Sequence, residues 1–474
     1  MKNLSNKIYY LSFFTAIFGL SSCAVGPKFQ SPSVVSPTTY IYDSVETDTI
    51  VNLEWWELFK DEKLDTLVKL ALANNKDAQI AASRIQEAAF IVGFNRADYF
   101  PQIGYNGSAI RGNIGPGGTP SEAFGNLFTG VGNVYWEIDF WGKYRRATEA
   151  AKAELLASEY GKRNLEISLI SGVSTLYFQL MDFKARLRIS QGTLVSRKES
   201  LRIIGERFKE GIIPEIDLNQ AQVQEAIAAA NVPLYERLVA NTEHALSVLI
   251  GANPKSFDTK LLIDQSIPPE IPNGIPSDLL QRRPDILQAE QIYKAQNARI
   301  GVAQAQRFPS ISLTGALGAA SSDLSNFLSA DAMVWSASAG ITGPIFNFGK
   351  NKRRVDIERE RAQQAKLSYE NTVIKAFQEV EDALIGVSTV VRELEAYERQ
   401  LRAAENAARL SKARYDGGVT SYLEVLETER SLFESELKAA DAYQRMLVSY
   451  VQLYKALGGG WISEQEKIES TSAE

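Results

Sequence analysis

The chain has 474 residues, 51 Lys and Arg against 57 Asp and Glu, a formal net charge of −6 and a hydrophobic content of 45%. That acidic balance argues against nucleic acid as a partner. With one cysteine (Cys23) and one histidine (His244), an intramolecular disulfide and a multi-histidine or thiolate metal centre are excluded, and an enzymatic reading has little to stand on.

Lys2 and Lys7 lead into an apolar stretch from Ile8 to Leu20, and Leu20-Ser21-Ser22 places small residues before Cys23. Residues 1–22 read as a lipoprotein signal peptide, too short and wrongly flanked for a stable membrane helix. Cys23 is the expected lipid-attachment residue: its thiol takes a diacylglycerol and, after cleavage, its new amino group takes an acyl chain. Several chains hold a protein at a membrane where one alone is marginal. Residues 23–54 read as a lipidated, extended N-terminal arm. Beyond the signal no window approaches 18 consecutive apolar residues, so a membrane crossing has to be made by strands.

The rest of the chain is two copies of one unit. Phe100-Pro101 recurs as Phe308-Pro309 at an offset of 208, while Trp141-Gly142-Lys143 recurs as Phe348-Gly349-Lys350 and Arg207-Phe208 as Arg414-Tyr415, both at 207. A constant offset over such a length implies rods of fixed length, because insertions break the packing phase of long helices. Repeat 1 spans 77–251, with helices at 77–98, 144–209 and 215–250 and strands at about 102–111 and 133–141. Repeat 2 spans 285–457, with helices at 285–307, 352–415 and 422–457 and strands at about 310–319 and 334–342. The long helices would each span ~100 Å and read as coiled coil. Residues 55–76 and 252–284 read as an equatorial belt and 458–474 as a C-terminal tail.

The four strands alternate with period two: Ile103, Tyr105, Val134, Trp136, Ile311, Leu313, Trp335 and Ile341 lie on apolar faces, against Gln102, Asn106, Glu137, Ser312 and Ser338. Their length suits a tilted strand crossing a bilayer, with lipid on one side and a wet lumen on the other. Four strands cannot close a barrel and lipid tolerates no open edge, so the membrane reading requires an oligomer: two chains give eight strands, three give twelve. A soluble sheet at the helix ends has the same alternation. The Gly/Pro-rich 112–132 and the segment around 320–332 read as external loops.

At this point the residues resemble the outer-membrane factor lipoproteins, the TolC- and OprM-like exit ducts of tripartite resistance-nodulation-division (RND) efflux systems. The resemblance rests on Cys23-Ala24-Val25-Gly26-Pro27, Trp55-Trp56 with Phe59, Asp61 and Leu64, Arg282-Arg283-Pro284-Asp285-Ile286, Phe308-Pro309 and Leu457-Gly458-Gly459-Gly460-Trp461. It implies a mixed α+β membrane protein: a homotrimer whose twelve-stranded transmembrane β-barrel, four strands per chain, sits in outer-membrane lipid and continues into a periplasmic α-helical barrel. It further implies a periplasmic adaptor (membrane fusion) protein and, through it, an inner-membrane RND-type antiporter. Small molecules would pass through passively, with no cofactor beyond the lipid on Cys23. A duct for type I protein secretion is the alternative within the class, and a lipid-anchored adaptor or scaffold the alternative outside it.

The same resemblance aligns the stretch from Arg414 to Glu427 with a periplasmic gate. Leu423 falls on the hydrophobic constriction and Glu424 and Glu427 on acidic rings, with Tyr415 and Thr420 beside them. Glu stands here where Asp is typical, and Thr420 where some relatives have arginine. Independently, Leu423 and Glu427 are four apart and share a helix face, as do Glu424 and Glu427 at three apart. The same acidic residues also suit the first turn of a helix. The two turns, with Arg207 and Gly211 in one and Arg414 and Gly418 in the other, are the expected adaptor-docking tips. The acidic run Glu379-Val380-Glu381-Asp382 reads as a solvated face.

Overall fold

The computed structural model describes residues 24–32, 37, 39–41, 55–114, 120–268 and 279–459. The expected signal peptide, Cys23, most of the arm up to residue 54 and the tail from 460 on lie outside the described residues. Helices α1 (Glu62–Asn74) and α2 (Lys76–Ala97) precede strands β1 (Gln102–Ile114) and β2 (Pro120–Ile138). Next come α3 (Lys143–Lys209), α4 (Glu215–Leu249), the single turn α5 (Leu279–Arg282) and α6 (Pro284–Ala305). Strands β3 (Ser310–Ser321) and β4 (Met333–Thr342) lead into α7 (Lys350–Asp416) and α8 (Tyr422–Ala456). The repeat is exact in length where it matters most: α3 and α7 have 67 residues each, α4 and α8 have 35 each. Among the described residues no helix is long and apolar enough to cross a membrane.

One compact unit gathers the described parts of Met1–Ser33, Ser83–Glu159 and Gln288–Glu370. Its sheet is antiparallel in the order β1-β2-β3-β4, which leaves β1 and β4 as open edges within one chain. The register brings the apolar residues of neighbouring strands to one face, with Ile103 opposite Val134, Trp136 opposite Leu313, Ile311 opposite Ile341 and Leu317 opposite Trp335. That face is uncovered: Ile103 is 82% exposed, Tyr105 92%, Trp335 75% and Ile341 75%. On the other face polar side chains pair across strands, Ser108 with Thr129 and Thr314 with Ser338, each at 2.7 Å.

The segment expected as the loop 112–132 is mostly sheet, because β1 runs on to Ile114 and β2 begins at Pro120 rather than near 133 and ends at Ile138. The glycines that suggested a loop, Gly125, Gly130 and Gly132 among them, sit in the β1–β2 ladder instead. A Cβ on Gly318 would lie 2.1 Å from the Gly130 carbonyl oxygen, and one on Gly130 would lie 2.9 Å from the Phe327 ring. The first is a backbone contact that admits no side chain, whereas the second meets only the far end of a phenylalanine ring.

At the foot of the sheet the Asp139 carboxylate accepts from the backbone N–H of Tyr144 (3.1 Å) and of Arg145 (2.9 Å). It thereby satisfies two of the unpaired donors at the start of α3 and complements the helix dipole. Trp141 donates from Nε1 to the Pro309 carbonyl at 2.8 Å and stacks on Phe308 at 4.4 Å, tying the two repeats together here.

The second unit gathers the described parts of Val34–Ala82, Tyr160–Leu287 and Asn371–Glu474. Its core sets Trp55, Trp56, Phe59 and Leu64 against Val173, Tyr177, Phe178 and Met181 of α3 and Tyr450, Val451 and Tyr454 of α8. Burying each such large side chain contributes ~1.5–3 kcal/mol. Asp61 is fully buried yet satisfied, capping α1 at the Lys63 N–H (3.0 Å) and accepting from the Tyr177 hydroxyl at 2.8 Å. Arg283 explains part of the Arg-Arg-Pro-Asp motif: it binds Asp285 at 2.7 Å, Glu379 at 2.6 Å and, through Nη1, the Ala456 carbonyl at 2.9 Å. A cation on the last carbonyls of α8 is where the helix dipole favours one. The run from Glu379 is therefore not simply a solvated face, since Glu379 holds Arg283 and Glu381 accepts from the Ile41 N–H at 2.8 Å.

Candidate gate at the helix tips

The two long helices end in the same turn. In the first, Gly211 (φ +69°) sends its N–H to Phe208 O and Ile212 sends its N–H to Arg207 O, both at 2.9 Å. In the second, Gly418 (φ +70°) bonds Tyr415 O and Val419 bonds Arg414 O, again both at 2.9 Å. This is a left-handed glycine cap closing the C-terminal carbonyls, and the positive φ is why glycine stands at both positions.

A small core joins the two turns: Ile204 and Ala221 of the first repeat pack with Tyr422, Val425 and Leu426 of the second, flanked by Ile213, Leu218 and Tyr415. Arg207 adds a polar tie, donating from Nη1 to the Tyr415 hydroxyl at 2.7 Å with its guanidinium 5.1 Å from the ring centre. Nearly three turns further up from Arg207, Arg197 is buried and bonds Gln224. Burial pushes the nearby Glu429 carboxyl upward against the pull of Arg197.

The acidic residues divide. Glu424 is held inside its own turn, accepting from the Thr420 hydroxyl and lying 3.3 Å from Arg414 Nε. Glu427 stands on the exposed side with Leu423, 58% exposed, and meets Arg430 at 2.7 Å. Leu423 is not alone: Ile212, Ile216 and Val419 are also exposed at these turns. Ile216 was not picked out from the sequence, although the 207-residue offset carries Leu423 directly onto it.

Above the tips an alternating ion chain crosses three helices. Asp182 on α3 pairs with Arg186 at 2.8 Å, Arg186 also meets Asp441 on α8, Asp441 meets Arg445 at 2.8 Å, and Arg445 grips Glu393 on α7 at 2.8 and 3.0 Å. Burial pushes the Asp182 carboxyl up to about 6 despite the opposing pull of Arg186. Among the described residues no cluster of three or more His, Cys, Asp or Glu is placed to hold a metal ion.

A four-stranded sheet with its apolar face uncovered, and a repeat of 67-residue helices that end in twin glycine turns, are together the parts of an outer-membrane channel protein. The chain belongs to the outer membrane efflux protein family, whose model matches it twice, over residues 67–252 and 275–459. The cation efflux system protein CusC of Escherichia coli O6:H1 is 33% identical over 454 residues, covering 94% of this chain and 98% of that one. The solvent efflux pump outer membrane protein SrpC of Pseudomonas putida is 34% identical over 462 residues, 95% of this chain and 98% of its own. Among solved structures, the outer-membrane channel OprN superposes with a TM-score of 0.86 at 30% identity, over 93% of this chain and 100% of that one. The open-state MtrE channel of Neisseria gonorrhoeae gives 0.83 at 28% identity, over 92% and 98%. These relatives are efflux channels, so this chain is an efflux channel and not an enzyme, and the protein-secretion alternative is set aside.

Proposed function

We propose that three copies of this chain close a twelve-stranded barrel and form the exit duct of a tripartite system, passively discharging small molecules such as drugs, detergents, dyes or metabolites. The observation that carries the assembly is the four-stranded sheet with two open edges and an uncovered apolar face, which lipid does not tolerate in a single chain. Exposed Ile212, Ile216, Val419 and Leu423 at the turns favour a second apolar contact in the assembly. We assign Leu423 to the constriction, Glu427 to an acidic ring beside it, and the turns around Gly211 and Gly418 to docking on a periplasmic adaptor that leads to an RND-type antiporter. Glu424, tied to Arg414 and Thr420, holds the turn in shape.

Cys23 is the proposed lipid attachment, and the chain just after it is anchored at Val25 and Gly26. Val25 donates to the Trp141 carbonyl at 3.1 Å, and Arg146 binds the carbonyls of Val25 and Gly26 at 3.3 Å each. Gly26 lies so close to Gly301 that a Cβ would come within 2.5 Å of its Cα. The chain is thus fixed at the foot of the sheet, where acyl chains on Cys23 reach lipid. A density map of the purified assembly tests the whole reading, with a threefold barrel expected. A monomer, or a dimer with an eight-stranded barrel, would overturn it. Lipid labelling that persists in Cys23→Ala would remove the anchor alone.

A further inference from the structure

Just below the sheet, Tyr99, Arg145, Thr148, Glu149, Lys152, Ala153, Leu156 and Lys294 line an open cavity of about 370 Å³. That volume lies within the ~300–1,000 Å³ of small-molecule sites. Three cations meet one carboxylate there, and the carboxylate is already occupied: Glu149 pairs with Arg146 at 2.8 Å. Arg145 is partly engaged by Asp139 at 3.5 Å. Lys152 and Lys294 have no carboxylate partner among the described residues, and Lys294 lies 5.9 Å over the Phe29 ring. Thr148 is 6% exposed, lines the same cavity, and its Oγ1 has no hydrogen-bond partner. A buried hydroxyl left unpaired costs ~1–3 kcal/mol, so a ligand atom that bonds it is favoured.

We infer that this cavity binds the phosphate headgroup of an anionic phospholipid, seated at the periplasmic surface of the outer membrane. Depth and chemistry agree on that occupant. Phe140, Trp141 and Phe308 pack together, and Phe346 pairs with Phe348, in the segments that join the strands to the helices, as an aromatic girdle does at the edge of the hydrocarbon. Arg145, Thr148 and Lys152 share one face of α3; Arg145 and Thr148 fall within ~8 Å of its first residue, inside a headgroup zone about 5–8 Å deep, and Lys152, one turn further down, has a long side chain that leans back toward the helix start. Lys and Arg at that level attract anionic lipid headgroups. The aliphatic Ala153 and Leu156 complete the wall beside the cations, as an amphiphile requires. The inference rests on the outer-membrane placement of the chain and is independent of the gate.

Native mass spectrometry of the full-length assembly, released from detergent with phosphatidylglycerol or phosphatidylcholine added, tests it. Retained phosphatidylglycerol is expected to exceed phosphatidylcholine by about tenfold and to fall to parity in Lys152→Gln/Lys294→Gln. The charge-keeping Lys152→Arg/Lys294→Arg pair should restore the preference, and Thr148→Val should weaken it without removing it. Equal retention of the two lipids by the wild type, or a preference unchanged in the glutamine pair, would overturn the site. Displacement of the lipid by millimolar glycerol 1-phosphate would show that a free phosphate ester is bound instead, against the lipid assignment. Insertion of the same samples into liposomes is read in parallel: failure there counts against the membrane placement itself, and intact insertion without lipid preference against the cavity alone.

Discussion

Arg207, in the last turn of one long helix, donates a 2.7 Å hydrogen bond to the hydroxyl of Tyr415, in the last turn of the other. The two residues belong to different repeats, and the bond joins the two turns at the helix ends of one chain. If the turns separate when the duct opens, this bond is present in the closed state and absent in the open one. Tyr415→Phe keeps the ring and its packing and removes only the acceptor. A hydrogen bond from a charged donor is worth ~1.5–3 kcal/mol, and at this half-exposed position the lower end applies. The open fraction in planar bilayers should rise about tenfold. An unchanged open fraction would mean that the bond is kept through opening.

The repeat, the helical rods and the strand pairs were legible because each is written in a period: 207 residues, 3.6 residues and two. Contacts between repeats were not, since no periodicity says that Arg207 meets Tyr415 or that Arg186 bridges Asp182 and Asp441. Glycine misled in the strands. Composition suggests a loop over 112–132, and only the register shows that Gly125, Gly130 and Gly132 are paired strand residues. Ile216 was recoverable from the 207-residue offset, but an isoleucine after a Pro-Glu pair carries no signal of its own.

Gly318 should therefore be the least replaceable residue of the sheet. A Cβ there falls 2.1 Å from Gly130 O and 2.6 Å from Val131 Cα, both backbone atoms with nowhere to move. Gly318→Ala should cost ~3 kcal/mol and deplete the folded assembly in outer-membrane fractions. Gly107→Ala, whose nearest neighbour would be 3.8 Å away, should leave the amount unchanged. Equal recovery of the two variants would contradict the register.

Gly418 makes a separable demand, because nothing crowds its Cα and only φ +70° excludes a side chain. Gly418→Val should impair efflux while the barrel still inserts. Gly418→Asn should be the milder change, since asparagine tolerates the left-handed region. Drug accumulation in cells, normalised to the amount of inserted protein, measures both.

Asp182 gives a pH dependence with a definite sign. Its carboxyl is raised from 3.8 to about 6, so between those values the folded protein keeps a proton that the unfolded chain has lost. Stability contributed by this group is therefore full below about pH 4 and is lost as pH rises through about 6, by up to ~3 kcal/mol. In Asp182→Asn the group is absent. The melting temperature of the wild type minus that of Asp182→Asn should fall from pH 4 to 6.5 and level off above 7. A difference that rises over that range would reverse the assignment.

The gate predictions turn on Leu423 and Glu427, which share one exposed face while Glu424 is tied to Arg414 and Thr420. Leu423→Ser should raise conductance or the open fraction, because an apolar constriction closes a pore by excluding water. By repeat symmetry Ile216→Ser should act in the same direction, and no change there would leave one apolar ring rather than two. Glu427→Gln should lower cation selectivity and weaken block by multivalent cations added on the periplasmic side. Arg430 lies 2.7 Å from Glu427 and offsets part of its charge, so Arg430→Gln should raise cation selectivity and strengthen the block. Opposite shifts at neighbouring residues distinguish a charged ring in the pore from a general disturbance of the turn, which would move both variants alike. Glu395 is exposed on α7, ~30 Å above the tip, and Glu395→Gln should change nothing. If Leu423, Ile216 and Glu427 can all be replaced without altering conductance, selectivity or block, the duct is closed elsewhere and these turns serve docking alone.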